Sequence, residues 1–307
     1  MDRTVRVDGA AQMTLAAPVT LSGIGVHSGA PATITLTPGV ADSGIRFVRT
    51  DAAGKVTEFV ASWRTVVATE LATQLGSADG QSLATVEHLM SAFSGLGVDA
   101  AVVEIDGPEM PIMDGSAVAF VAAIDSVGLV ALDAPRQMIE ILKPVRIERG
   151  DAFAELVPFA GRRFDVTIAF DEAVIGRQAL VFDLEPGVYR DQIARARTFG
   201  RVSDALKLRA MGFARGSSLE NSVALDDGKV VNPEGTRWPD EFVRHKSLDA
   251  VGDLALAGLP IRGLYRSFKG GHRMNVEILK ALFADPSAFR VIVAPASEDA
   301  LDDRAAA

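Results

Sequence analysis

The residues most capable of chemistry in this sequence are its histidines. There are four in 307 residues: His27, His88, His245 and His272. His245 precedes Asp249 by four positions, so on a helix the two side chains project from one face and can reach a single divalent cation. His88 offers a third ligand from a distant segment. Such nitrogen and oxygen donors suit a catalytic zinc site, which keeps one position open beside three protein ligands. A surface hydrogen bond between His245 and Asp249 is the alternative interpretation.

Two more residues have the chemistry to move protons. Glu87 directly precedes His88, and adjacent helical residues diverge by about 100°, so both cannot easily bind one ion through the same face. Near a helix start Glu87 could instead be the general base that accepts a proton from an activated water, although a first-turn acid favoured by the helix dipole is common. His272 follows two glycines, and Asp253 could keep it cationic and ready to protonate a leaving amine. A solvent-facing helix cap is the alternative for His272.

Two polar residues carry weaker patterns. Thr198, within residues 197–200, could donate a hydrogen bond to a developing oxyanion, while a threonine at a strand edge is the default explanation. His27 lies in the glycine-dense turn 23–29 and has no acid beside it. We interpret His27 as a turn histidine with a local hydrogen bond, and a substrate contact is the second interpretation.

The composition limits the class of protein. The length allows two domains of ordinary size, and a hydrophobic fraction of 48% indicates a packed globular chain. Cysteine is absent, which excludes disulfides and thiolate ligands. The net charge of −9 argues against nucleic-acid binding. An anionic small substrate would need a local cationic pocket, for which Lys246, Lys269 and Arg266 are candidates.

The sequence also bears on location and assembly. No apolar run approaches the roughly 20 residues that span a bilayer. Residues 1–7 lack the apolar core of a signal peptide. We therefore expect a cytoplasmic enzyme. No coiled-coil pattern or large basic surface requires a partner, so we expect a monomer.

The elements that must position these residues occur twice along the chain. Strand-like runs open each half, at 18–22, 32–38 and 44–49, and again at 138–148, 153–158 and 163–170. Each half continues with a histidine-bearing helix, a strand at 99–105 or 261–268, and a second helix at 115–127 or 272–283. Thr85, Asp114 and Asp240 are candidate N-caps. The pattern predicts an α+β fold of two similar domains, each a sheet covered on one face by two helices.

The domain boundaries follow from the same repeat. The first domain is expected at 1–131 and the second at 138–307, joined by a linker at 132–137. Segments 59–75 and 202–231 do not fit the repeat and are predicted to be one insertion per domain. Insertions at matching places of packed domains often build a binding site, while ordinary surface loops are the alternative.

Taken together, these segments resemble one family, the zinc-dependent UDP-3-O-acyl-N-acetylglucosamine deacetylases of lipid A synthesis in Gram-negative bacteria. The matching segments run in order and span nearly the whole chain: 23–29, 85–89, 111–116, 197–200, 240–246, 248–249, 252–254 and 271–272. Several ordered motifs at compatible spacing are far more specific than any one of them.

The resemblance implies a role for each matching residue. The implied zinc ligands are His88, His245 and Asp249, and such a site also suits Fe²⁺. Glu87 would be the general base, and His272 the general acid tuned by Asp253. The implied stabilising and substrate-contacting residues are Thr198 at the oxyanion, Lys246 and Lys269 at the substrate or its phosphates, Phe199 at the substrate, and Phe170 against the uracil ring.

The resemblance also implies an architecture and a reaction. Two β-α-α-β domains would pack as a sandwich with the active site between them, and the second insertion would form an apolar passage for the 3-O-acyl chain near 202–223. The enzyme would hydrolyse the 2-acetamido group of UDP-3-O-(3-hydroxyacyl)-N-acetylglucosamine to acetate and the free amine. Residues 69–72 lack the sulfur-containing side chains that some members carry there. The alternatives are another metal hydrolase, such as a two-metal phosphoesterase, and a catalytically silent acyl-sugar-binding protein.

Overall fold

A computed structural model describes residues 10–294, so the outer ends of both predicted domains lie outside the described residues. The strands are β1 Ala11–Leu15, β2 Val19–Ile24, β3 Pro31–Pro38, β4 Ile45–Thr50, β5 Val56–Val60, β6 Val66–Ala68, β7 Gln74–Gly76, β8 Ser82–Leu83, β9 Ala101–Ile105, β10 Leu129–Pro135, β11 Gln137–Ile141, β12 Val145–Arg149, β13 Ala152–Val157, β14 Arg162–Ala169, β15 Arg177–Asp183, β16 Phe199–Arg201, β17 Val223–Asp226, β18 Lys229–Val230, β19 Ile261–Phe268 and β20 Phe289–Val293. The helices are α1 Glu87–Leu96, α2 Val118–Val127, α3 Pro186–Val188, α4 Val202–Ala210, α5 Glu241–Ala255 and α6 His272–Ala284.

The main sheets of the two halves share one topology. In the first half the strand order is β2-β3-β9-β4-β5, with β4 and β9 parallel and the other neighbours antiparallel. In the second half β12-β13-β19-β14-β15 repeats this order, with β14 and β19 parallel. The predicted α+β fold of two similar halves is confirmed.

The segment between the halves differs from the prediction. Residues 132–137 were expected to form a linker, but β10 extends to Pro135 and pairs with β1, and β11 begins at Gln137. β11 then joins the second sheet between β19 and β20. The pairing of β10 with a strand more than 100 residues earlier keeps this backbone hydrogen-bonded, which a local reading of its proline and charged residues does not reveal.

The helices α1 and α5 pack against each other between the two halves. In α1 every residue except Ser94 is buried, as expected for a helix covered on all sides. Gly252 of α5 permits the close approach, because a Cβ there would lie 2.0 Å from the backbone oxygen of Glu87. A single cluster of buried apolar side chains, including Phe93 and Leu248, runs through both halves. Among residues 10–294, no helix has the length and apolar character needed to cross a bilayer.

Two small sheets lie apart from the main ones. The segment predicted as the first insertion contributes β6 and most of β7 to the sheet β6-β7-β8. Phe59, at its start, belongs to β5 of the main sheet, where it pairs with Phe47. The sheet β16-β17-β18 and helix α4 together take up the region predicted as the second insertion.

Thr85 and Asp114 are not the N-cap residues of α1 and α2, whereas Asp240 does occupy the N-cap position of α5. None of the three helices has a side-chain capping hydrogen bond. Thr85 has a left-handed backbone with φ 62° and donates its hydroxyl to Glu109 instead. Asp114 accepts from Ser116, and Asp240 accepts from Arg244. In each case another partner takes the side-chain oxygen.

Candidate active site

The structure brings together three residues predicted to bind a metal. His88 lies in the first turn of α1, while His245 and Asp249 lie one turn apart in α5. One potential ligand atom from each falls within 4.8 Å of the others, the one such group found among residues 10–294. The Nε2 atoms of His88 and His245 lie 3.7 and 3.3 Å from Asp249 Oδ1. The close packing of α1 on α5 therefore assembles the cluster.

The donor atoms of this cluster fit a bound cation. Asp249 Oδ1 is buried and has no hydrogen-bond partner, an arrangement that is costly unless a cation lies against it. The ring of His245 is fixed by its Nδ1, which lies 3.0 Å from the backbone oxygen of Ala196. Because a carbonyl oxygen can only accept a hydrogen bond, Nδ1 carries the proton. The lone pair of Nε2 is therefore available to a metal ion. The three donors together could hold a metal ion.

The protonation states also suit metal binding. Burial lowers the pKa of His88 to about 3, with repulsion from His245 adding to it, and burial likewise lowers the pKa of His245. Burial favours the neutral form of Asp249, but the nearby His245 and Lys246 outweigh it and hold the pKa of this carboxyl below its usual range. Two neutral imidazoles and an ionised carboxylate are what a cation requires.

Lys246 fixes the remaining oxygen of the carboxylate. Its Nζ donates to Asp249 Oδ2 at 2.6 Å. Burial opposes the charged form of Lys246, but the Asp249 carboxylate outweighs burial and raises the pKa of the ammonium group. Lys246 thus orients Asp249 and leaves Oδ1 directed at the two imidazoles.

Glu87 and His272 face each other beside the cluster. His272 Nε2 lies 3.9 Å from Glu87 Oε1 and 3.8 Å from Asp249 Oδ2, while its Nδ1 lies 2.9 Å from Asp253 Oδ2. Burial raises the pKa of Glu87 to about 8. Burial opposes the charged form of His272, but Asp253 and Asp249 outweigh it and raise the pKa to about 9. Both pKa values are raised, so a carboxyl and an imidazole that each bind a proton more tightly than usual face the same space and can exchange protons with one substrate.

These residues line a cavity of about 460 Å³. The floor carries the metal cluster, Glu87, His272 and Lys246, and Thr198 and Phe199 form part of one wall. Another part of the lining comes from α4 and the insertions and is largely apolar, with Arg201, Asp204 and Arg209 among it. Its apolar lining residues include Leu71, Val202, Ala205, Leu206, Leu208 and Leu219. Polar chemistry at one end and apolar surface beside it suit an amphipathic ligand.

The comparison with known families agrees with this arrangement. The model of the UDP-3-O-acyl N-acetylglycosamine deacetylase family matches residues 12–284. The chain belongs to this family.

Its relatives are similar over almost their entire length. The proteins named UDP-3-O-acyl-N-acetylglucosamine deacetylase from Brucella ovis and Brucella abortus are 50% identical over 284 residues, covering 92% of this chain and 99% of theirs. The protein of the same name from Brucella melitensis is 49% identical over the same extent. The family predicted from ordered motifs is confirmed.

Three predicted site residues do not line the cavity. Asp253 is fully buried behind His272 and reaches the cavity only through that ring. Lys269 forms an ion pair with Asp151 at 2.5 Å. Phe170 is 39% exposed and packs edge-on against Phe199, with ring centroids 5.7 Å apart. A role for Lys269 or Phe170 therefore depends on substrate extending beyond the cavity.

His27 lies in the cavity wall, although a turn histidine with a local hydrogen bond was the favoured interpretation. The local hydrogen bond predicted for its ring is not present at Nδ1, a buried atom without a partner. The turn is held through its backbone instead, since the amides of His27 and Ser28 donate to Glu109. The second interpretation, a contact with substrate, fits this position.

Two buried residues that support the site, Glu109 and Thr73, were not predicted from the sequence. The Glu109 carboxylate joins the His27 turn to Thr85, whose hydroxyl donates to it at 2.9 Å just before α1 begins. Thr73 contacts both Glu87 and Asp253. Neither residue belongs to a recognisable sequence pattern. The position of Glu109, two residues before the matched segment 111–116, was the one feature that could have indicated it.

Proposed function

We propose that this chain removes the acetyl group from the 2-acetamido nitrogen of UDP-3-O-(3-hydroxyacyl)-N-acetylglucosamine. The products are acetate and the free amine, and the reaction belongs to lipid A biosynthesis. One observation carries the proposal: a buried His-His-Asp cluster faces an acid–base pair at the polar end of a half-apolar cavity. The family and the names of its relatives support the same reaction.

The metal of this site is proposed to be zinc. His88, His245 and Asp249 supply two nitrogen donors and one oxygen donor, a set that suits Zn²⁺ and also Fe²⁺. When bound, such an ion supplies Lewis-acid activation of the acetamido carbonyl and of a water nucleophile. Every proton movement is then left to side chains of the chain.

Glu87 is the proposed general base. Its carboxylate borders the cavity beside the metal ligands, and its Oε2 accepts a hydrogen bond from the backbone of Thr73. The remaining oxygen, Oε1, faces His272 and is available to take a proton from the attacking water. Burial among carboxylates raises its proton affinity, which strengthens it as a base once it is ionised.

His272 is the proposed general acid. Asp253 holds its Nδ1, so Nε2 is the atom that faces the cavity and can give a proton to the departing amine nitrogen. The surrounding carboxylates favour the protonated ring. Thr198 borders the same cavity, where its hydroxyl is proposed to donate to the oxyanion that forms at the acetyl carbon.

The remaining residues are proposed to hold the substrate. Lys246 lies in the cavity and contributes positive charge near the reacting amide. Phe199 contributes an apolar surface at the cavity wall. Lys269 and Phe170 do not line the cavity, and we propose that the diphosphate and the uracil ring of the substrate extend beyond it to reach them. The apolar wall around α4 is proposed to accept the 3-O-acyl chain, so the acyl group adds binding energy by burial.

A direct assay tests the proposal. The purified chain with measured metal content is mixed with acylated UDP-N-acetylglucosamine, and acetate release is followed beside the nucleotide sugar without its acyl chain. We expect one metal ion per chain and turnover that depends strongly on the acyl group. Full metal occupancy without acetate release would contradict the proposed reaction, and two ions per chain would favour a phosphoesterase.

The setting of the reaction is proposed as well. We expect the chain to act in the cytoplasm as a monomer. Light scattering coupled to size-exclusion chromatography checks the second point against the chain mass of 32.4 kDa.

A further inference from the structure

Thr73 is a fully buried residue that joins the two proton-transferring parts of the site. It lies in the first insertion, between Ala72 of the cavity wall and strand β7. Its side chain has no exposed surface, so each of its polar groups must find a partner within the protein.

All three polar groups of Thr73 are used at the interface between α1 and α5. Its amide donates to Glu87 Oε2 at 3.1 Å, and its carbonyl oxygen accepts from Val86 at 3.3 Å. Its hydroxyl donates to Asp253 Oδ1 at 2.5 Å, across 180 positions of sequence. One residue of the first half therefore contacts both the carboxyl proposed as base and the carboxylate behind the proposed acid.

The hydroxyl of Thr73 completes the set of donors around Asp253. The other carboxylate oxygen, Oδ2, accepts from Asn275 at 2.8 Å and lies 2.9 Å from Nδ1 of His272. Asp253 has no solvent exposure, so water does not replace a lost donor at Oδ1. Without the hydroxyl, one oxygen of a buried carboxylate is unpartnered and its orientation toward His272 is no longer fixed from both sides.

We propose that Thr73 is a positioning residue of the deacetylase reaction, which orients His272 through Asp253 with its hydroxyl and Glu87 with its amide. This inference rests on the proposed function. Thr73 does not contact the metal ligands, so it acts on proton transfer and not on metal binding. Its place in the first insertion gives that segment a structural role in catalysis beyond forming the cavity wall.

The test compares Thr73→Val, which removes the hydroxyl and keeps both shape and amide, with Thr73→Ser, which keeps the hydroxyl. We expect Thr73→Val to lower kcat roughly tenfold, which is typical when a hydrogen bond that orients a site residue is lost. KM and metal content should be unchanged. Thr73→Ser should recover most of kcat. Thr14→Val is the matched control, because Thr14 is also a buried threonine whose hydroxyl makes two hydrogen bonds, to Ala100 and from Gly39. None of these three residues lines the cavity.

A second readout does not depend on turnover. The chain has four histidines, so the ring signals of ¹⁵N-histidine-labelled protein can be assigned with single variants. We expect Thr73→Val to shift the Nδ1–H resonance of His272, and Thr14→Val to leave it in place. An unchanged resonance, or equal kcat in Thr73→Val and the wild type, would overturn the positioning role. An inactive wild type with the expected resonance shift would instead contradict the proposed function alone.

Discussion

At the scale of single residues, the two carboxylate oxygens of Asp249 have different surroundings. Lys246 takes one carboxylate oxygen, and the other is buried without a partner between two imidazoles. Glu87 is next to His88 in sequence yet faces His272 instead of joining the cluster, because neighbouring helical residues point in different directions. Replacement of Glu87 and replacement of His88 should therefore have different consequences.

The first prediction compares those neighbours. Glu87→Gln should keep the metal and lose about 10²- to 10⁴-fold in kcat, because the amide cannot accept the proton. His88→Gln should lose metal, since one of three ligands is replaced by a poor donor. Metal content by mass spectrometry and acetate release are measured on both variants. Loss of metal in Glu87→Gln would show that Glu87 is a ligand.

Glu109 carries a second prediction at this scale. Its buried carboxylate accepts from Thr85 and from two backbone amides of the His27 turn, so Glu109→Gln would direct an amide group at those donors. We expect a loss of about 1–3 kcal/mol in the free energy of unfolding, measured by urea denaturation. Glu104→Gln, at an exposed position of β9, is the control and should change little.

At the scale of elements, the distance between α1 and α5 determines whether the ligands meet. Gly252 makes that distance possible, because a side chain there would overlap the backbone of Glu87. We predict that Gly252→Ala destabilises the fold by about 1–3 kcal/mol through overpacking and weakens metal binding. Calorimetric titration of metal and urea unfolding measure the two effects.

The control for this variant is Gly187→Ala. Gly187 lies in the short helix α3, and a Cβ there would contact nothing within 4 Å. Alanine is the better helix former, so this variant should be neutral or slightly more stable. A Gly252→Ala protein as stable as Gly187→Ala, with full metal affinity, would show that the helices can separate without cost.

The elements also show what sequence could predict. Alternating strands and histidine-bearing helices appear in the same order in both halves, and β19 was predicted at its observed bounds of 261–268. The strand β10 and the partner of Thr85 were missed, because each depends on a residue distant in sequence or on backbone geometry. The partner of Asp114 is the nearby Ser116, but α2 begins at Val118, later than predicted. His245 and Asp249 were recognised as a pair, since helical spacing is a local property. Thr73 was not recognised, since its hydroxyl bond spans the two halves.

At the scale of the whole molecule, several contacts tie the halves together. Arg162 of β14 donates to the backbone oxygen and hydroxyl of Ser94 in α1. Trp63 of the first half stacks on Phe283 of α6, with ring centroids 5.3 Å apart. Together with the shared apolar core, these contacts favour unfolding of both halves in one step.

The two tryptophans of the chain test this expectation. Trp63 reports the contact between the halves and Trp238 lies in the second half. Trp238→Phe and Trp63→Phe each leave one tryptophan. For each variant, the slope of the free energy of unfolding against urea concentration should be the same by fluorescence and by far-ultraviolet circular dichroism. An earlier transition at Trp63 alone would show that the halves separate before they unfold.

The repeated strand order has a consequence for how such a centre can arise. A symmetric pair of first halves would present two copies of Glu87 and His88 and no counterpart of Asp249, whereas a pair of second halves would crowd two copies of His245 and Asp249 without the base. Neither homodimer contains the complete set. The candidate site therefore depends on the residues in which the two halves differ, and not on the strand order that they share.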